Sequence, residues 1–439
     1  ITSLSGDSEH LAVSFTRDFS DGFVNVYEVG VNGTWVQVGQ SLECNVGPAI
    51  DLSHDGLMLI LSFESAARAY ALDSDKEEWV QVGNDILLTT PLGARTDFRV
   101  SLSADGGIVA ISNLNDSIQF KKAGAVHVYK LRAETGNWTQ MGGSGMYGDN
   151  ADDQFGKCLS LSPDGNRLAA GSDNYMNGTG LVRFFEWNGK EWIQGSKDIV
   201  GTPKASLHCS LVGSRLAIGS YQSMNDLMLY SGHVQVFELW DEEGALAHSD
   251  SESEPPSPPL STLVPTLVPS NNPTVVPRYE PTRAPTASLP VWTQLGDGFE
   301  GKDTYEESGY VALNSHNGTV LAVGGLGNSP KPGVLRVHRI MEEESGIDGE
   351  EATVSWVPMG SDILGPVPDF LSTGFGSNPS LSADGTTLST GAPFITEMQG
   401  AVFVYRYDEV EEDWMPLGGG PLVEPESKLF GSTTSLSGD

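Results

Sequence analysis

Two stretches of the 439-residue chain concentrate carboxylates. Residues 148–154 include Asp149, Asp152 and Asp153, and residues 297–307 include Asp297, Glu300, Asp303, Glu306 and Glu307. Carboxylate oxygens bind divalent cations and attract basic groups. Each stretch is therefore a candidate site for a divalent cation or a basic ligand. The competing interpretation, which we favour, is a solvated acidic loop on an acidic protein.

Other residue types show no catalytic or metal-binding pattern. The eight histidines include no closely spaced pair of metal ligands, and no serine lies in a nucleophile elbow. Carboxylates alone do not predict a glycosidase, because their separation must be read from a structure. The sequence therefore predicts no catalytic residue and no cofactor, with calcium left possible at the two acidic stretches.

The charge of the chain limits its partners. Lys and Arg total 24 against 58 Asp and Glu, giving a formal charge of −34. Such a surface repels nucleic acids and anionic lipids and attracts cations or basic partners. No apolar run approaches the length of a membrane span, so we expect no membrane insertion within this segment. Because the chain begins at Ile1 in the middle of a pattern, we expect a piece of a longer protein, with any signal or anchor left open.

Possible glycosylation points to the exterior of the cell. Five Asn-x-Ser/Thr sequons occur, at Asn32, Asn115, Asn137, Asn177 and Asn317. Residues 246–290 are rich in Pro, Ser and Thr, which is typical of an O-glycosylated stalk or of a plain disordered loop. Together these features favour an extracellular or cell-surface location.

These residues must be positioned by a repeated unit. A Ser-Leu-Ser-like strand recurs, with its leucine at Leu4, Leu52, Leu102, Leu161, Leu211, Leu313, Leu381 and Leu436. A strand with alternating apolar residues follows in each unit, and then a strand opened by Trp35, Trp79, Trp138, Trp192, Trp292, Trp356 or Trp414. Four of the units carry an Asp-Gly pair directly after the first strand, which indicates a tight turn.

Four short antiparallel strands per unit, repeated radially, predict an all-β fold, a seven-bladed β-propeller. We expect a single domain over residues 1–439, with blades at about 1–50, 51–100, 101–158, 159–208, 209–310, 311–378 and 379–435. Segment 246–290 separates the third and fourth strands of the fifth unit, so it is interpreted as a disordered insertion within that blade. Residues 433–439 are an extra copy of the first strand that either competes with or supplements the first blade, unless the chain was cut from a longer array.

The three cysteines are Cys44, Cys158 and Cys209. An odd number leaves at least one thiol unpaired within the chain. Cys158 and Cys209 lie near the start of successive units, so a bridge between them is geometrically conceivable. We favour buried small apolar residues instead.

Antiparallel order places the connections of each blade on two faces. Connections 1–2 and 3–4 emerge on one face, which therefore carries the Asp-Gly turns and the insertion. Connections 2–3 and 4–1 emerge on the opposite face, where the longer loops and both acidic stretches lie. Loops carry function more often than the framework does, so we expect the binding surface on this second face.

The unit resembles the FG-GAP repeat of integrin-α-like propellers. The resemblance rests on Phe155-Gly156, Phe375-Gly376 and Phe430-Gly431, continued by Gly171-Ser172 and Gly391-Ala392-Pro393. It implies an extracellular adhesion or recognition domain. The family's calcium loop is absent here, because the corresponding connection is a four-residue turn with one carboxylate, as at Asp384. We therefore interpret these aspartates as turn formers and do not carry over the family's calcium sites.

The predicted function is an extracellular or cell-surface propeller for adhesion, recognition or structural interaction, with a protein or glycan partner. One alternative is a secreted polysaccharide-acting enzyme that uses carboxylates near the central channel; a channel without convergent polar groups would exclude it. Another is an intracellular propeller scaffold, although the repeat lacks the Gly-His and Trp-Asp signature of WD repeats. The sequence does not identify the ligand.

Overall fold

The structure is a computed structural model. It describes residues 2–17, 21–44, 48–62, 66–88, 98–201, 207–221, 230–240, 290–303, 306–327, 331–343, 353–367, 372–425, 427–431 and 434–436. In this part of the chain, no helix has the length and apolar character needed to cross a membrane.

Short strands make up most of the regular structure. Strands β1 to β18 form four blades: Thr2–Leu4, His10–Arg17, Asp21–Val29 and Trp35–Cys44 in blade 1; Ile50–Leu52, Met58–Ser62, Ala66–Asp73 and Glu78–Leu87 in blade 2; Phe98–Leu102, Ile108–Asn113, Ala125–Arg132, Asn137–Gln140 and Met146–Tyr147 in blade 3; Cys158–Leu161, Arg167–Ser172, Leu181–Trp187, Trp192–Gln194 and Ile199–Val200 in blade 4. A single helical turn, α1, spans Tyr175–Gly178 between the second and third strands of blade 4.

Strands β19 to β33 complete the ring: Leu207–Val212, Arg215–Ser220, His233–Trp240, Val291–Gln294 and Phe299–Glu300 in blade 5; Ser308–Leu313, Val320–Gly325, Val334–Glu343, Thr353–Pro358 and Ile363–Leu364 in blade 6; Ser377–Leu381, Thr387–Ala392, Ala401–Asp408 and Asp413–Pro416 in blade 7; and finally Thr434–Leu436. The third and fourth strands of blade 5 pair with each other on either side of residues 241–289, which lie outside the described residues. The predicted insertion therefore interrupts the outer hairpin of this blade.

Each blade pairs its four main strands in sequence order and antiparallel, and the two-residue fifth strands of blades 3 to 6 pair with the third strand of their blade. In blade 3, Ile111 pairs with Val100 of the first strand and with His127 of the third. First strands of neighbouring blades contact one another, so they line the axis of the ring, and the tryptophan strands lie outermost. Seven such sheets in a ring form the seven-bladed β-propeller that the repeats predicted.

Apolar clusters lie between the blades, one at each of the seven interfaces. Blade 7 meets blade 1 through a cluster that includes Leu4, Phe15, Val402 and Phe430. The last strand, β33, pairs in parallel with β1, with Leu436 opposite Leu4. The extra copy of the first strand thus supplements the first blade as a fifth strand.

The Asp-Gly turns are held by a local hydrogen-bond network. In blade 7, Ser382 Oγ donates to Asp384 Oδ1 over 2.6 Å, and that oxygen also accepts from the backbone N–H of Thr386. Ser382 Oγ in turn accepts from the backbone N–H of Thr387. The same arrangement closes the turns at Asp55, Asp105 and Asp164. These aspartates have the bonds that a turn former requires, as the sequence predicted.

A disulfide bond joins Cys158 to Cys209, whose Cα atoms are 5.6 Å apart. The two residues lie on the first strands of blades 4 and 5, which face each other near the axis. Our preference for two buried thiols was therefore wrong. The structure leaves Cys44 as a half-buried free thiol.

Candidate functional site

A variable column of residues lines the axis of the ring. Three residues before the leucine of each first strand, blades 2 to 7 carry Ala49, Arg99, Cys158, His208, Tyr310 and Asn378. The residue one before the leucine is serine in most blades. The column lies toward the start of the first strands, which is the end where the 4–1 connections enter.

Three members of this column meet across the channel. The Asn378 side chain hydrogen-bonds the imidazole of His208, and the charge of Arg99 acts on the same ring. These residues belong to blades 3, 5 and 7, which share no interface in a ring of seven. They can therefore meet only over the axis. We call Arg99, His208, Tyr221, Tyr310 and Asn378 the channel cluster.

His208 is held as a neutral imidazole. Burial and, to a lesser extent, the charge of Arg99 lower its pKa to about 4. Its Nδ1 accepts from the backbone N–H of Val311 over 3.4 Å. A neutral ring that accepts at Nδ1 carries its proton on Nε2. His208 can therefore donate from Nε2 within the channel at neutral pH, while Val311 occupies its Nδ1.

Two tyrosines form an aromatic surface beside His208. The rings of Tyr221 and Tyr310 stack with centroids 4.8 Å apart and 14° between their planes. The Tyr310 ring also lies 5.8 Å from the imidazole. Burial is the main cause that raises the pKa of Tyr310, so its phenol stays protonated. Both tyrosines are half-buried and thus partly accessible from the channel.

Acidic side chains border the cluster. Glu307 and Asp173 both act electrostatically on Tyr310, and burial raises the pKa of Glu307. Glu307 and Asn378 adopt positive φ, at 54° and 47°. Such backbone strain in non-glycine residues is concentrated at functional sites in proteins. The cluster thus combines strain, perturbed pKa values and convergent polar groups.

The arrangement suits recognition of a polar, uncharged molecule. It offers one fixed cation, a neutral imidazole, two phenols and an amide, which together supply donors, acceptors and a flat apolar face. Stacked aromatic rings with neutral hydrogen-bonding groups match the hydroxyls and C–H faces of a sugar. Within the described residues, no group of three or more His, Cys, Asp or Glu side chains could hold a metal ion.

The first predicted acidic stretch is spread over three different environments. Asp149 pairs with Arg183, whose guanidinium also binds Asp198, each over 2.8 Å. Asp153 is buried and accepts from the backbone N–H of Asn150 within its own loop. Asp152 is exposed. The structure therefore does not bring the three carboxylates together.

The second predicted stretch is divided in the same way. Asp297 and Glu300 are exposed, and Asp303 pairs with Lys331 over 2.7 Å. Glu306 is buried and pairs with Arg336. Arg336 occupies the third-strand position that Arg183 has in blade 4. One carboxylate of each stretch thus neutralises an arginine of the following blade, and binding of a cation by the exposed members stays a prediction.

The sequons lie in several environments. Asn32 and Asn137 are exposed in the outer hairpins of blades 1 and 3, and Asn317 is exposed in the first turn of blade 6. Asn115 is half-buried. Asn177 lies in the helical turn α1, and its side chain is outside the described residues. Glycosylation at these positions stays a prediction.

The channel cluster was missed by the sequence analysis, which looked for variation in the loops. The available signal was a single column of the repeat alignment. Three residues before the leucine, the side chains include alanine, arginine, cysteine, histidine, tyrosine and asparagine, while the residue directly before the leucine is serine in five of the seven blades. A polar, variable position in an otherwise apolar inner strand indicates a channel-lining role.

The fold and this cluster define a seven-bladed β-propeller with a candidate ligand site in its channel. No protein-family model and no curated protein matches the chain. The FG-GAP relation therefore stays a resemblance.

Solved structures share the fold. A putative 6-phosphogluconolactonase from Bacteroides uniformis has a TM-score of 0.53 and 14% identity, covering 95% of this chain and 98% of that one. The periplasmic gluconolactonase of Pseudomonas aeruginosa has a TM-score of 0.53 and 13% identity, covering 96% and 98%. A protein from Lactobacillus plantarum has a TM-score of 0.52 and 14% identity, covering 96% and 99%. At these identities the likeness shows the fold alone.

Proposed function

We propose that this chain is an extracellular recognition propeller that binds a glycan at the mouth of its channel, on the face of the 2–3 and 4–1 connections. The observation that carries the proposal is the meeting of Arg99, His208 and Asn378 from three non-adjacent blades. A propeller that served only as a spacer would need no polar contacts across its axis, because buried polar groups cost free energy unless they are paired.

The recessed position of the cluster favours a glycan over a protein surface. A chain end can enter the channel mouth, stack on Tyr221 and Tyr310 and hydrogen-bond His208, whereas a flat protein surface would touch only the surrounding loops. The formal charge of −34 opposes polyanionic ligands. We therefore expect a neutral or weakly acidic saccharide.

The extracellular location has two independent supports. The disulfide bond between Cys158 and Cys209 is of a kind that persists in oxidising compartments. Exposed sequons at Asn32 and Asn137 would accept glycans without disturbing the sheets. Both features count against the intracellular scaffold.

A glycan array with the full chain tests the proposal. We expect saccharide binding that Tyr221→Ala and His208→Ala weaken at least tenfold, because both remove contacts at the channel mouth, at about 1–2 kcal/mol each. Asp152→Asn and Asp297→Asn are the matched controls, since both residues are exposed and lie in loops of the same face. If only the loop variants lose binding, the acidic loops form the binding surface. Capture of proteins without any saccharide would contradict the glycan assignment.

The polysaccharide-acting enzyme remains the second candidate, because polar groups converge in the channel and the carboxylates of Glu307 and Asp173 border them. Glu307, whose pKa burial raises, is the carboxyl that could donate a proton in such a reaction, with His208 positioning the substrate. The two functions differ in their products. Release of new reducing ends from a bound polysaccharide, lost in His208→Asn, would favour the enzyme over the binding module.

A further inference from the structure

An aromatic side chain fills the same place in three of the blade interfaces. Phe155, Phe375 and Phe430 are fully buried in the clusters between blades 3 and 4, 6 and 7, and 7 and 1. Each precedes the glycine of a Phe-Gly pair. The benzyl group at this place is therefore a repeated part of how neighbouring blades pack.

Between blades 5 and 6, Ser308 takes this place. The backbone N–H of Ser308 donates to Ser231 O over 2.8 Å, as Phe155 donates to Ala123 O over 2.8 Å and Phe430 to Gln399 O over 3.0 Å. Each of these acceptors precedes a glycine with φ between 80° and 84°. The backbones thus match, while the phenyl ring is missing.

The surroundings of the missing ring match as well. In the interface of blades 3 and 4, Phe155 packs in one cluster with Met146, Ala170 and Phe185. By strand register the equivalents around Ser308 are Phe299, Val323 and His338. These residues line a cavity of about 230 Å³. The cavity therefore lies at the interface place that a phenyl ring takes elsewhere, and the Phe299 ring and the His338 imidazole that line it have centroids 4.5 Å apart.

Both cations that line the cavity are paired with carboxylates, and Glu300 adds a further carboxylate to the lining. Arg336 pairs with Glu306 and Asp362, and Lys302 pairs with Asp362 over 2.9 Å. Burial, Arg336 and Lys302 lower the pKa of His338 to about 4, so its imidazole is neutral. Its Nδ1 is buried, so a ligand in the cavity meets the accessible part of this half-buried imidazole and not that nitrogen.

We propose that this cavity binds a phenol, with the aromatic ring beside Ser308, where the phenylalanine is missing, and the hydroxyl on the accessible part of the His338 imidazole. Phe299 and Val323 supply the apolar contact, and the paired cations leave no net demand for an anionic ligand. The phenol is either a small free molecule or the side chain of a tyrosine. The site is separate from the channel cluster and does not depend on the glycan proposal.

Fluorine NMR on the full chain tests the proposal with para-fluorophenol and fluorobenzene as probes. We expect saturable binding of both, with the phenol about tenfold tighter because of its hydrogen bond. Ser308→Phe should abolish binding of both probes, since it fills the cavity. His338→Phe should remove the preference for the phenol and weaken both probes; the same position is Phe185 in blade 4, so the fold accommodates it. His127→Leu, on the third strand of blade 3, is the control and should bind normally.

Two results would overturn the proposal. One is the absence of saturable binding to the wild-type chain at millimolar probe, and the other is unchanged binding of the probes to both Ser308→Phe and His338→Phe. If Ser308→Phe does not fold, His338→Phe alone decides between these outcomes. A comparison of para-cresol with N-acetyl-tyrosinamide then separates the two sources. Equal affinity for both compounds indicates a site open to a tyrosine of a partner. Binding of para-cresol without binding of N-acetyl-tyrosinamide indicates a free small molecule.

Discussion

Asp51 is an acidic residue in a column of serines. Its position, one before the first-strand leucine, is serine in five blades and alanine in blade 6. Asp51 is fully buried, with Oδ1 accepting from Ser3 Oγ and Oδ2 from the backbone N–H of Leu102. A serine makes the equivalent contact in blade 3, where Ser101 Oγ accepts a hydrogen bond from the backbone N–H of Leu161 in the next blade. The carboxyl therefore adds a desolvation cost that the other blades avoid.

This cost predicts an unusual dependence of stability on pH. Burial raises the pKa of Asp51 well above its ordinary value. Between about pH 4, where the unfolded carboxyl titrates, and its raised native pKa, the native state holds a proton that the unfolded state releases, so stability falls as pH rises. Asp51→Ser should therefore gain about 1–3 kcal/mol relative to wild type at neutral pH and less at acid pH. Urea denaturation at several pH values measures this difference.

The converse substitution is the control. Ser101→Asp places a second carboxyl in the same column and should destabilise the chain more at neutral than at acid pH. A difference between Asp51→Ser and wild type that stays constant across this pH range would show that Asp51 is not protonated in the native state.

Among the elements, the outer strands lock onto each other by a repeated contact. Trp79 Nε1 donates to Val38 O of the preceding blade over 3.1 Å, and its ring covers Gly39. Gly39 has a φ of +72° and lies at the bulge within the tryptophan strand. The contact recurs between Trp138 and blade 2. Gly39, four residues after Trp35, thus has two roles: it forms the bulge, and it leaves room for the tryptophan ring of the next blade.

A pair of glycines separates these two roles. Gly39 and Gly136 both have positive φ, but a Cβ at Gly39 would lie 2.6 Å from Trp79 Cδ1, while a Cβ at Gly136 would meet nothing within 4 Å. Gly136→Ala should cost about 1–2 kcal/mol from backbone strain. Gly39→Ala should cost about 1–3 kcal/mol more, because the ring must also move. Equal losses in chemical denaturation would show that the tryptophan contact adds nothing.

The first strands of blades 4 and 5 carry a covalent contact. The bond between Cys158 and Cys209 closes a loop with a sequence separation of 51. Removing it by Cys158→Ala with Cys209→Ala should cost about 4 kcal/mol by the loop-entropy relation. Thermal unfolding with and without reductant measures this loss, and the double variant should not respond to reductant. Cys44→Ala removes a thiol whose pKa burial raises to about 12. This variant should lose as much thermal stability in reductant as the wild-type chain does.

The elements could be predicted from sequence because their signals are local. Strand alternation, Asp-Gly turns and the tryptophan column each fall within one unit, so the seven blades and the insertion in blade 5 followed from them. The channel cluster could not be predicted in this way. Arg99, His208 and Asn378 are far apart in sequence and meet only because the ring curves. The choice between free thiols and a disulfide likewise depended on the angle between two blades.

At the scale of the whole molecule, one interface differs from the other six. Blades that follow each other in sequence stay joined by the chain if their interface opens. Blades 7 and 1 are joined by the pairing of β33, which follows blade 7 in the chain, with β1. They are also joined by the apolar cluster around Phe430, by Tyr27 Oη donating to Glu424 over 3.0 Å, and by pairing of Thr16 with Lys428, 412 residues apart. We call this interface the seam. Opening the seam removes the constraint on the largest loop in the molecule, so it gains the most conformational entropy. It should therefore be the first interface to open.

This asymmetry predicts different behaviour of two similar substitutions. Phe430→Ala and Phe155→Ala both remove a fully buried benzyl group and should each cost about 3–5 kcal/mol in global stability. Native-state hydrogen exchange should distinguish them. Phe430→Ala should speed exchange in blades 1 and 7 under conditions where the other blades stay protected, because the weakened seam opens before the rest unfolds. Phe155→Ala should leave blades 3 and 4 exchanging together with the whole ring, because the intact seam still holds them. Identical exchange patterns in the two variants would mean that the seam is no weaker than the other interfaces.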